Sequence, residues 1–414
     1  MNAPLVAHTV PLGDLSPEAL LDAPGAAPRG YFADDRGETA WLGAARSVEA
    51  HDLSALSALT LGAWEGVPER DVPPRAFVVA RFTDDPRERT DSAWREAPGA
   101  RWVLPRLTVT RARGETVARW LLPPGERPPP LSIAAPADPP PSGVEVREGS
   151  REAWVALVEA ALREMSSGGA EKLVAARRVE LHRAGGWRVS SLLRALASRS
   201  SPGGARFSCS HGALTFLGAT PETLLARDGA TLTTEALAGS LPRDPSRDDL
   251  DRAALLASDK DRREHDHVTR MILRTIAPWC ARVEVSDRPE VRSLRTLHHL
   301  CTPITAALRD DAPGALAMAA ALHPTPAVAG APVAKAAAWI RAHETHPRGW
   351  YAGAVGWCDA RGDGRFTVAI RSAALREDRA WVYAGAGLVL GSDPAKEWEE
   401  TAVKMAMMRE VLGA

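Results

Sequence analysis

The chain has 414 residues, enough for a large hydrophobic core, and its formal net charge is −1 at pH 7. A net charge this close to zero does not indicate a basic surface for binding nucleic acid or an anionic membrane. No apolar run reaches the length of a membrane span, and the N-terminus lacks the pattern of a signal peptide. The four cysteines show no Cys-x-x-Cys spacing and are expected to be reduced thiols. These features predict a cytoplasmic, enzyme-like protein.

The N-terminal third is predicted to be rich in strands, for example over 76–82 and 102–109. A dense run of prolines over 123–142 predicts an extended connection instead of a helix or a strand. An amphipathic helix is predicted to follow from Ser150. We therefore divide the chain at this connection, into an N-terminal part over 1–145 and a main region over 146–414.

The main region contains further runs with the composition of β-strands, predicted over 172–181, 214–222, 291–305, 367–372 and 381–387. Asp228-Gly229 lies between two β-prone runs and predicts a hairpin. No repeat of the solenoid type is present. Runs of strands interrupted by a few helices predict an α+β architecture with large mixed or antiparallel sheets.

The last predicted helix carries acids on a stripe that is otherwise apolar. Asp393-Pro394 is a strong start signal, because an N-cap acceptor is followed by a residue without an N–H. The stripe is expected to contain Glu397, Glu400, Lys404, Met408 and Val411. A buried carboxylate is costly unless it is neutralised, and a hard divalent cation would do so. The alternative is a solvated acidic face with a Glu400–Lys404 pair.

A second acidic helix is predicted to run from Asp259 into an apolar stripe. Glu264 lies in line with that stripe, and Asp261 lies one turn before it. Acid pairs from two helices could converge on one metal ion. The neighbouring His265 and His267 raise zinc as an alternative, but no His-Glu-x-x-His motif is present to support it.

The chain is rich in arginine and contains only five lysines, which are Lys172, Lys260, Lys335, Lys396 and Lys404. Arginine cannot lose its proton in a protein, whereas lysine can. In such a composition, a lysine is favoured at a site that needs a compact amine. The lysines are therefore candidate functional residues.

Seven short motifs occur in one order along the chain, at 218–222, 235–240, 264–265, 297–300, 369–372, 384–387 and 392–404. Together they resemble the chorismate-utilising enzymes: isochorismate synthases, salicylate synthases, and the large subunits of anthranilate and aminodeoxychorismate synthases. The resemblance implies the anthranilate synthase large-subunit-like fold, with large sheets packed together and flanked by helices. It makes 146–414 the chorismate-binding catalytic region and 1–145 a divergent part of the same fold.

Within this family, residues 322–330 and 348–357 most resemble those of isochorismate synthases. In salicylate synthases a Thr tends to stand at the position of Ala327, and in aminodeoxychorismate synthases a Lys replaces the residue matching Ala238. The two alanines favour water as the nucleophile and no elimination of pyruvate. The implied enzyme is an isomerase that converts chorismate into isochorismate, for menaquinone or siderophore biosynthesis.

The resemblance also implies the catalytic pair. Water would attack C2 of chorismate while the C4 hydroxyl departs, which requires a base and an acid. Lys172 would be the base and Glu222 the acid. A glutamate can act as an acid at neutral pH only if its pKa is raised, as an apolar pocket would do.

The same resemblance implies ligands for Mg²⁺ and for the substrate. Glu264 and Glu400 would bind Mg²⁺, with Asp261 and Glu397 binding it directly or through water. The residues implied to contact chorismate are Leu237, Ala238, Gly239, Ser240, His299, Ala327, Tyr351, Arg371, Gly385, Gly387 and Lys404. Ser240 departs from the family pattern, which commonly has Thr at this position.

Two alternatives remain at this stage. A salicylate synthase, or a component of anthranilate or aminodeoxychorismate synthase, would release pyruvate or incorporate ammonia. A non-catalytic chorismate-binding paralogue would not need both Lys172 and Glu222. A monomer is expected, with chorismate as the small-molecule partner and without a glutaminase subunit, nucleic acid or membrane.

Overall fold

The computed structural model describes residues 4–24, 28–59, 61, 73–131, 133 and 143–414, together with the backbone of 64–65. The strands before the main region are β1 Leu5–Leu12, β2 Arg29–Asp34, β3 Gly37–Ala50, β4 Trp64–Glu65, β5 Arg75–Ala80, β6 Ala100–Ala112, β7 Glu115–Leu122 and β8 Glu145–Glu148.

The strands of the main region are β9 Lys172–His182, β10 Ala205–His211, β11 Leu214–Thr220, β12 Thr223–Asp228, β13 Thr231–Pro242, β14 Cys280–Val285, β15 Glu290–Ser293, β16 Leu297–Leu308, β17 Gly330–Ala331, β18 Ala354–Asp359, β19 Gly364–Val368, β20 Ser372–Arg376 and β21 Arg379–Leu388. The helices are α1 Arg151–Ser166, α2 Val189–Ala197, α3 Asp248–Ala257, α4 Asp259–Ile276, α5 Ala315–Leu322, α6 Val333–His343 and α7 Pro394–Leu412.

The strands form two arms of sheet that meet at the long strand β6. One arm runs from β6 through β3, β2, β10, β11, β20 and β21 to β9. The other runs from β6 through β5, β18, β19, β12 and β13 to β16. Among the described residues all strand pairings are antiparallel except β1–β4. The predicted α+β class with large, mainly antiparallel sheets is confirmed.

The two faces of the first arm pack against different partners. Along β21, Trp381 and Tyr383 join the core cluster shared by both arms, whereas Val382 and Ala384 join a second cluster. That second cluster includes Leu193 of α2 and further side chains of α7. This alternation follows from the two-residue period of a strand. One face of the arm therefore lies toward the interior and the other under helices.

The N-terminal part is built into the same sheets as the main region. β2 pairs with β10, and β5 pairs with β18. Phe77 and Trp94 belong to the same core cluster as Phe216 and Trp350. Of the predicted proline-rich connection over 123–142, residue 132 and residues 134–142 lie outside the described residues.

Most of the predicted elements are present, with two corrections. The strand predicted over 291–305 is two strands, β15 and β16, separated at 294–296. The strand predicted over 367–372 is also interrupted, because Arg371 adopts a left-handed backbone with φ 52° between β19 and β20. A residue with a side chain rarely adopts this conformation, so the apolar pattern could not reveal the break.

The acidic helices form where they were predicted. In α4, Glu264 is buried in one line with Val268, Ile272 and Ile276, as expected. In α7 the predicted stripe needs correction. The deeply buried line consists of Glu397, Thr401, Met405, Met408 and Leu412. Glu400, Lys404 and Val411 lie beside this line and are only partly buried.

No helix among the described residues is both long enough and apolar enough to cross a bilayer.

We predict that Asp393→Ala weakens the start of α7. The Asp393 Oδ1 atom accepts hydrogen bonds from the N–H groups of Ala395 (2.9 Å) and Lys396 (3.0 Å). Losing such a cap costs about 1 kcal/mol in the free energy of unfolding. Denaturant unfolding would measure this loss. Asp393→Asn keeps an acceptor and should remain within about a few tenths of a kcal/mol of the parent. Equal losses in both variants would contradict the capping role.

Candidate active site

A pocket of about 600 Å³, its open mouth included, lies where the two arms approach α4 and α7. Its wall comes from segments far apart in sequence: the start of β9, the β11–β12 junction, β13, β16, the 327–328 segment, the residues before β18, the break before β20, and β21. The pocket therefore exists only in the folded chain.

Glu222 is a buried carboxyl group at the junction of β11 and β12, and it is 7% exposed. Burial raises its pKa to about 8, and the negative charge of Glu235 adds to the rise. The nearby cations Lys172, Arg371 and Lys404 oppose it. Since the raising effects prevail, Glu222 is protonated at neutral pH and can donate a proton.

Lys172 is fully buried at the first position of β9. Its Nζ atom lies 3.0 Å from Oε1 of Glu264 on α4. Burial alone would raise the pKa of Glu264, but the ammonium of Lys172, helped by Lys404 and Lys260, holds that pKa below its usual value. The pair is therefore a charged, desolvated contact at the base of the pocket.

Gly387 allows the Glu264 carboxylate to approach β21. A Cβ atom at position 387 would overlap Oε1 of Glu264. The backbone of Gly387 is not in the left-handed region, so the close approach alone requires glycine here. Gly385, two residues earlier, accepts a hydrogen bond at its carbonyl from Lys404 Nζ (3.0 Å).

A bulge in β13 forms the opposite wall. The register between β13 and β16 shifts between Leu237 and Ser240. Gly239 has φ 78°, and a Cβ atom there would lie 3.0 Å from Cβ of Asp261. The bulge thus lets β13 approach α4 closely and turns its backbone toward the pocket.

Three of the five lysines contact the acids of α4 and α7. Besides Lys172, Lys404 Nζ lies 2.5 Å from Oε1 of Glu400, and Lys260 Nζ lies 2.8 Å from Oε1 of Glu397. Ser240 Oγ also donates to Oε1 of Glu400 (3.0 Å). One ion pair therefore joins β9 to α4, one joins α4 to α7, and one lies within α7.

Asp261 and Glu397 show an excess of negative charge between the two helices. Burial raises the pKa of Asp261, and the charges of Glu264 and Glu400 raise it further. Burial likewise raises the pKa of Glu397, followed by the charge of Glu400. Oxygen donors that repel one another in this way suit a hard divalent cation. Within the described residues, no three His, Cys, Asp or Glu side chains already converge as a metal cage.

His265 is engaged otherwise, which argues against the zinc alternative. Its Nδ1 atom lies 3.2 Å from the carbonyl of Ala238, and its Nε2 atom lies 2.7 Å from Oγ1 of Thr302. His267 Nδ1 lies 3.3 Å from a carboxylate oxygen of Glu171, away from the pocket wall. The two histidines do not form a ligand pair.

Polar groups without a protein partner line the pocket. His299 is 7% exposed, and its Nε2 atom is buried without a hydrogen-bond partner in the described part of the chain. Burial, followed by the charges of Arg371 and Lys404, lowers its pKa well below the usual value, so the ring is neutral. Arg371 is in the wall, and no ion pair to it is present among the described residues. An anionic, oxygen-rich ligand would satisfy both groups.

Tyr351 is placed by aromatic packing from the N-terminal part. Its ring stacks on Tyr383 with centroids 5.0 Å apart. Tyr383 in turn accepts a hydrogen bond from Trp94 Nε1 (2.8 Å) and one from Arg178 Nη1 (3.3 Å). Burial raises the pKa of Tyr351 to about 12, so its hydroxyl remains a hydrogen-bond donor.

The structure brings together nearly all the residues predicted for the site. All eleven predicted substrate-contacting residues line the pocket, as do Glu222 and Glu264. Lys172 lies one contact behind the wall, against Glu264. Asp261, Glu397 and Glu400 are not in the wall. Glu400 contacts the wall residues Ser240 and Lys404, and Asp261 lies close behind Gly239. Glu397 pairs with Lys260, which is also outside the wall.

Sequence reasoning missed the apolar wall and one brace behind it. Val174, Pro221, Val328 and Ile370 line the pocket but show no polar signal in the sequence. Arg348, buried in the motif over 348–357, was not singled out. Its presence in that motif beside Tyr351 was the available signal.

Arg348 ties several parts of the wall together. It forms a fork with Glu344 (Nε–Oε2 2.9 Å, Nη2–Oε1 2.5 Å) and donates to the carbonyls of Val328 (2.7 Å) and Val174 (2.9 Å). Glu344 Oε1 accepts the N–H of Ala176 (2.8 Å). This buried network fixes the 328 segment against β9.

Comparison with known proteins identifies the family. A family model described as "Chorismate binding enzyme" matches residues 132–413. The salicylate biosynthesis isochorismate synthase of Pseudomonas aeruginosa is 37% identical over 374 residues, covering 84% of this chain and 76% of that protein. The chain belongs to the chorismate-binding enzyme family. The resemblance inferred from the motifs is thereby confirmed.

Solved structures agree with this assignment. The menaquinone-specific isochorismate synthase of Escherichia coli aligns with a TM-score of 0.77 and 25% identity, over 100% of this chain and 96% of that one. Anthranilate synthase component I of Streptococcus pneumoniae aligns with a TM-score of 0.70 and 18% identity, over 100% and 93%. The predicted anthranilate synthase-like fold is therefore confirmed. Several other curated isochorismate synthases align over only about half of their own length.

We predict that Gly387→Ala disrupts the pocket described above. The added Cβ would displace the Glu264 carboxylate and break its contact with Lys172. We expect a lower melting temperature and a smaller stabilisation by added chorismate, with at least about a tenfold loss of affinity. Thermal unfolding with and without chorismate measures both.

Gly385→Ala is the matched comparison on the same strand, because its Cβ would lie 3.2 Å from the Tyr351 hydroxyl and 3.2 Å from a methyl group of Val174 without overlapping Glu264. It adds a methyl group to the same wall but should keep the Glu264–Lys172 contact, so its melting temperature should fall less than that of Gly387→Ala. A Gly387→Ala protein that is stabilised by chorismate as strongly as the parent would contradict the packing argument.

Proposed function

We propose that the chain is a Mg²⁺-dependent isochorismate synthase, an isomerase that converts chorismate into isochorismate. The observation that supports this most directly is a protonated Glu222 in the pocket wall with a fully buried Lys172 close behind that wall. The similarity to isochorismate synthases over 84% of the chain supports the same substrate.

The reaction exchanges a hydroxyl group and needs two proton transfers. Water attacks C2 and gives a proton to the amine of Lys172, while the ring double bond shifts. The C4 hydroxyl departs and takes a proton from Glu222, leaving as water. One water is consumed and one is released, so the product is an isomer of chorismate. The acid role of Glu222 is supported by its pKa of about 8, which keeps it protonated at neutral pH.

Lys172 can act as the base only when its amine carries no proton and is no longer needed to neutralise Glu264. In the ligand-free chain it is the counter-ion of Glu264, with 3.0 Å between Nζ and Oε1. The amine is completely buried behind the pocket wall, so bulk water does not reach it. The proposal therefore requires a second positive charge that takes over the neutralisation of Glu264.

Mg²⁺ fits the acids of α4 and α7. Glu264 and Glu400 would hold the ion, with Asp261 and Glu397 binding directly or through water, and all four supply hard oxygen donors. When bound, the ion would supply positive charge for a substrate carboxylate and would replace Lys172 as the counter-ion of Glu264. The raised pKa values of Asp261 and Glu397 support the need for such a charge.

The unpaired groups of the pocket suit the other polar atoms of chorismate. Arg371 offers two parallel N–H donors for the enolpyruvyl carboxylate, and the Tyr351 hydroxyl lies in the same wall. The buried Nε2 of His299 lacks a protein partner and would contact the ring or its substituents. These residues would hold the substrate with C4 toward Glu222.

The two alanines of the pocket favour isochorismate over other products. Ala238 and Ala327 both line the wall, where they leave space and offer no amine or hydroxyl group. Position 327 carries no polar group, so this position gives no support to the second candidate, a salicylate synthase. Relatives named for salicylate biosynthesis and for menaquinone biosynthesis both resemble this chain, so the names of its relatives do not select one pathway. We propose that the product is used in menaquinone or siderophore biosynthesis.

We predict that purified protein with chorismate and Mg²⁺ forms isochorismate, and that EDTA abolishes the conversion. Chromatography of the products at the end of the reaction measures this. Lys172→Ala should lose at least about a hundredfold in rate, because the base is missing. Because Lys172→Ala also leaves Glu264 buried without its counter-ion, the melting temperature of the variant must be measured to show that the protein is still folded. Salicylate with pyruvate as the products, or full activity in Lys172→Ala, would overturn the proposal.

We also predict an alkaline limit to the activity. Glu222 must carry its proton, and burial raises its pKa to about 8. The value of kcat/KM, which reports the free enzyme, should therefore fall on the alkaline side of the profile as the pH rises through about 8. Glu222→Gln should be at least about a hundredfold slower at pH 7. A pH profile that stays level to pH 10 in the parent would argue that another group is the acid.

A further inference from the structure

The backbone around Glu222 is held by side chains instead of a regular strand ladder. The pairing of β12 with β19 shifts register between Thr223 and Leu225. The N–H of Glu222 donates to Oγ1 of Thr220 (3.2 Å), and the carbonyl of Glu222 accepts from Val368 (3.1 Å). The next N–H, that of Thr223, donates to Oε1 of Glu235 on β13 (3.1 Å). A carboxylate thus replaces the acceptor that the bulge removes.

Glu235 is a largely buried carboxylate whose second oxygen is also engaged. Its side chain is 10% exposed, and Oε2 lies 2.5 Å from Nη1 of Arg292 on β15. The thiol of Cys301 lies 4.0 Å from the same oxygen. Arg292 engages one oxygen of Glu235, while the hydrogen bond from Thr223 directs the other oxygen toward the segment that carries Glu222. Glu235 is not in the pocket wall and would not touch the substrate.

We propose that Glu235 is a positioning residue for the acid Glu222, which it fixes through Thr223 and keeps protonated by the repulsion of its negative charge. This inference rests on the proposed function for its catalytic meaning, because only there is Glu222 the acid. Its physical content, the repulsion between two nearby acidic side chains, does not depend on the reaction.

The charges around Glu222 support the direction of the effect. Burial is the largest cause of its raised pKa, and Glu235 is the next. The opposing groups come from three other elements: Lys172 of β9, Arg371 before β20 and Lys404 of α7. His299 and Tyr351 also face the pocket but are uncharged at neutral pH, since burial lowers the pKa of the first and raises that of the second. Glu235 is therefore the negative charge that offsets three cations.

The test is Glu235→Gln, which keeps an oxygen acceptor for Thr223 but removes the charge. Glutamate labelled with ¹³C at Cδ reports the titration of Glu222 by NMR, and the loss of one resonance in Glu222→Gln assigns it. We expect the midpoint of Glu222 to fall by about one pH unit, as removal of a close like charge implies. The alkaline limb of kcat/KM should move by the same amount, so that the rate at pH 8 falls several-fold while the acidic side of the profile is unchanged.

Glu290→Gln is the matched control, because it removes an exposed carboxylate from β15 that does not face Glu222. It should leave the midpoint unchanged. Should Glu235→Gln fail to fold, Glu235→Gln/Arg292→Gln replaces the ion pair by two amides and should still lower the midpoint. An unchanged Glu222 midpoint in the folded variant overturns the inference. A lowered midpoint in a protein that forms no isochorismate would instead support the inference and reject the proposed function.

Discussion

The contact between Lys172 and Glu264 is the constraint on which the pocket depends. A lysine buried completely needs a carboxylate beside it, and removing one partner of such a pair costs about 3–5 kcal/mol. The pair joins the start of β9 to the middle of α4, so it fixes the helix against the sheet. The carboxylate fits only because position 387 on β21 has no Cβ. Strand, helix and glycine therefore form one unit, and the position of each determines that of the others.

The same contact explains why the pocket carries so many charges. Lys172, Lys260 and Lys404 each contact one acid of α4 or α7, while the side chain of Asp261 contacts, in the described part of the chain, the hydroxyl of Ser258 and no lysine. These four carboxylates face three ammonium groups, so negative charge is in excess between the two helices, while the cation Arg371 lies in the pocket wall without an acid in contact among the described residues. The raised pKa of Asp261, caused by burial and then by Glu264 and Glu400, reflects this excess. A bound cation and an anionic substrate together would remove it, so the arrangement is completed by its ligands.

Much of this could be predicted from the sequence, and the reasons are physical. The acid stripe of α4 follows from a regular period, and the start of α7 follows from its cap and proline, since both signals are local. The scarcity of lysine pointed to all five lysines, of which Lys172, Lys260 and Lys404 contact the acids of α4 and α7. No such contact of Lys335 or Lys396 is present among the described residues. The break at Arg371 could not be predicted, because its left-handed backbone is imposed by the surrounding fold. The shifted stripe of α7 was missed as well, since the packing partners of a helix decide which near-equivalent face is buried.

Local sequence signals could not predict how the N-terminal part supports the pocket. Trp94 donates to Tyr383, on which Tyr351 of the pocket stacks, and Phe82 lies under the guanidinium of Arg348 at 4.4 Å. Neither aromatic residue belongs to a motif, and neither touches the pocket itself. Both nevertheless determine the position of residues that do, through a stack and a cation–π contact. The N-terminal part can therefore diverge in most of its sequence and still be required at the few positions that pack behind the pocket wall.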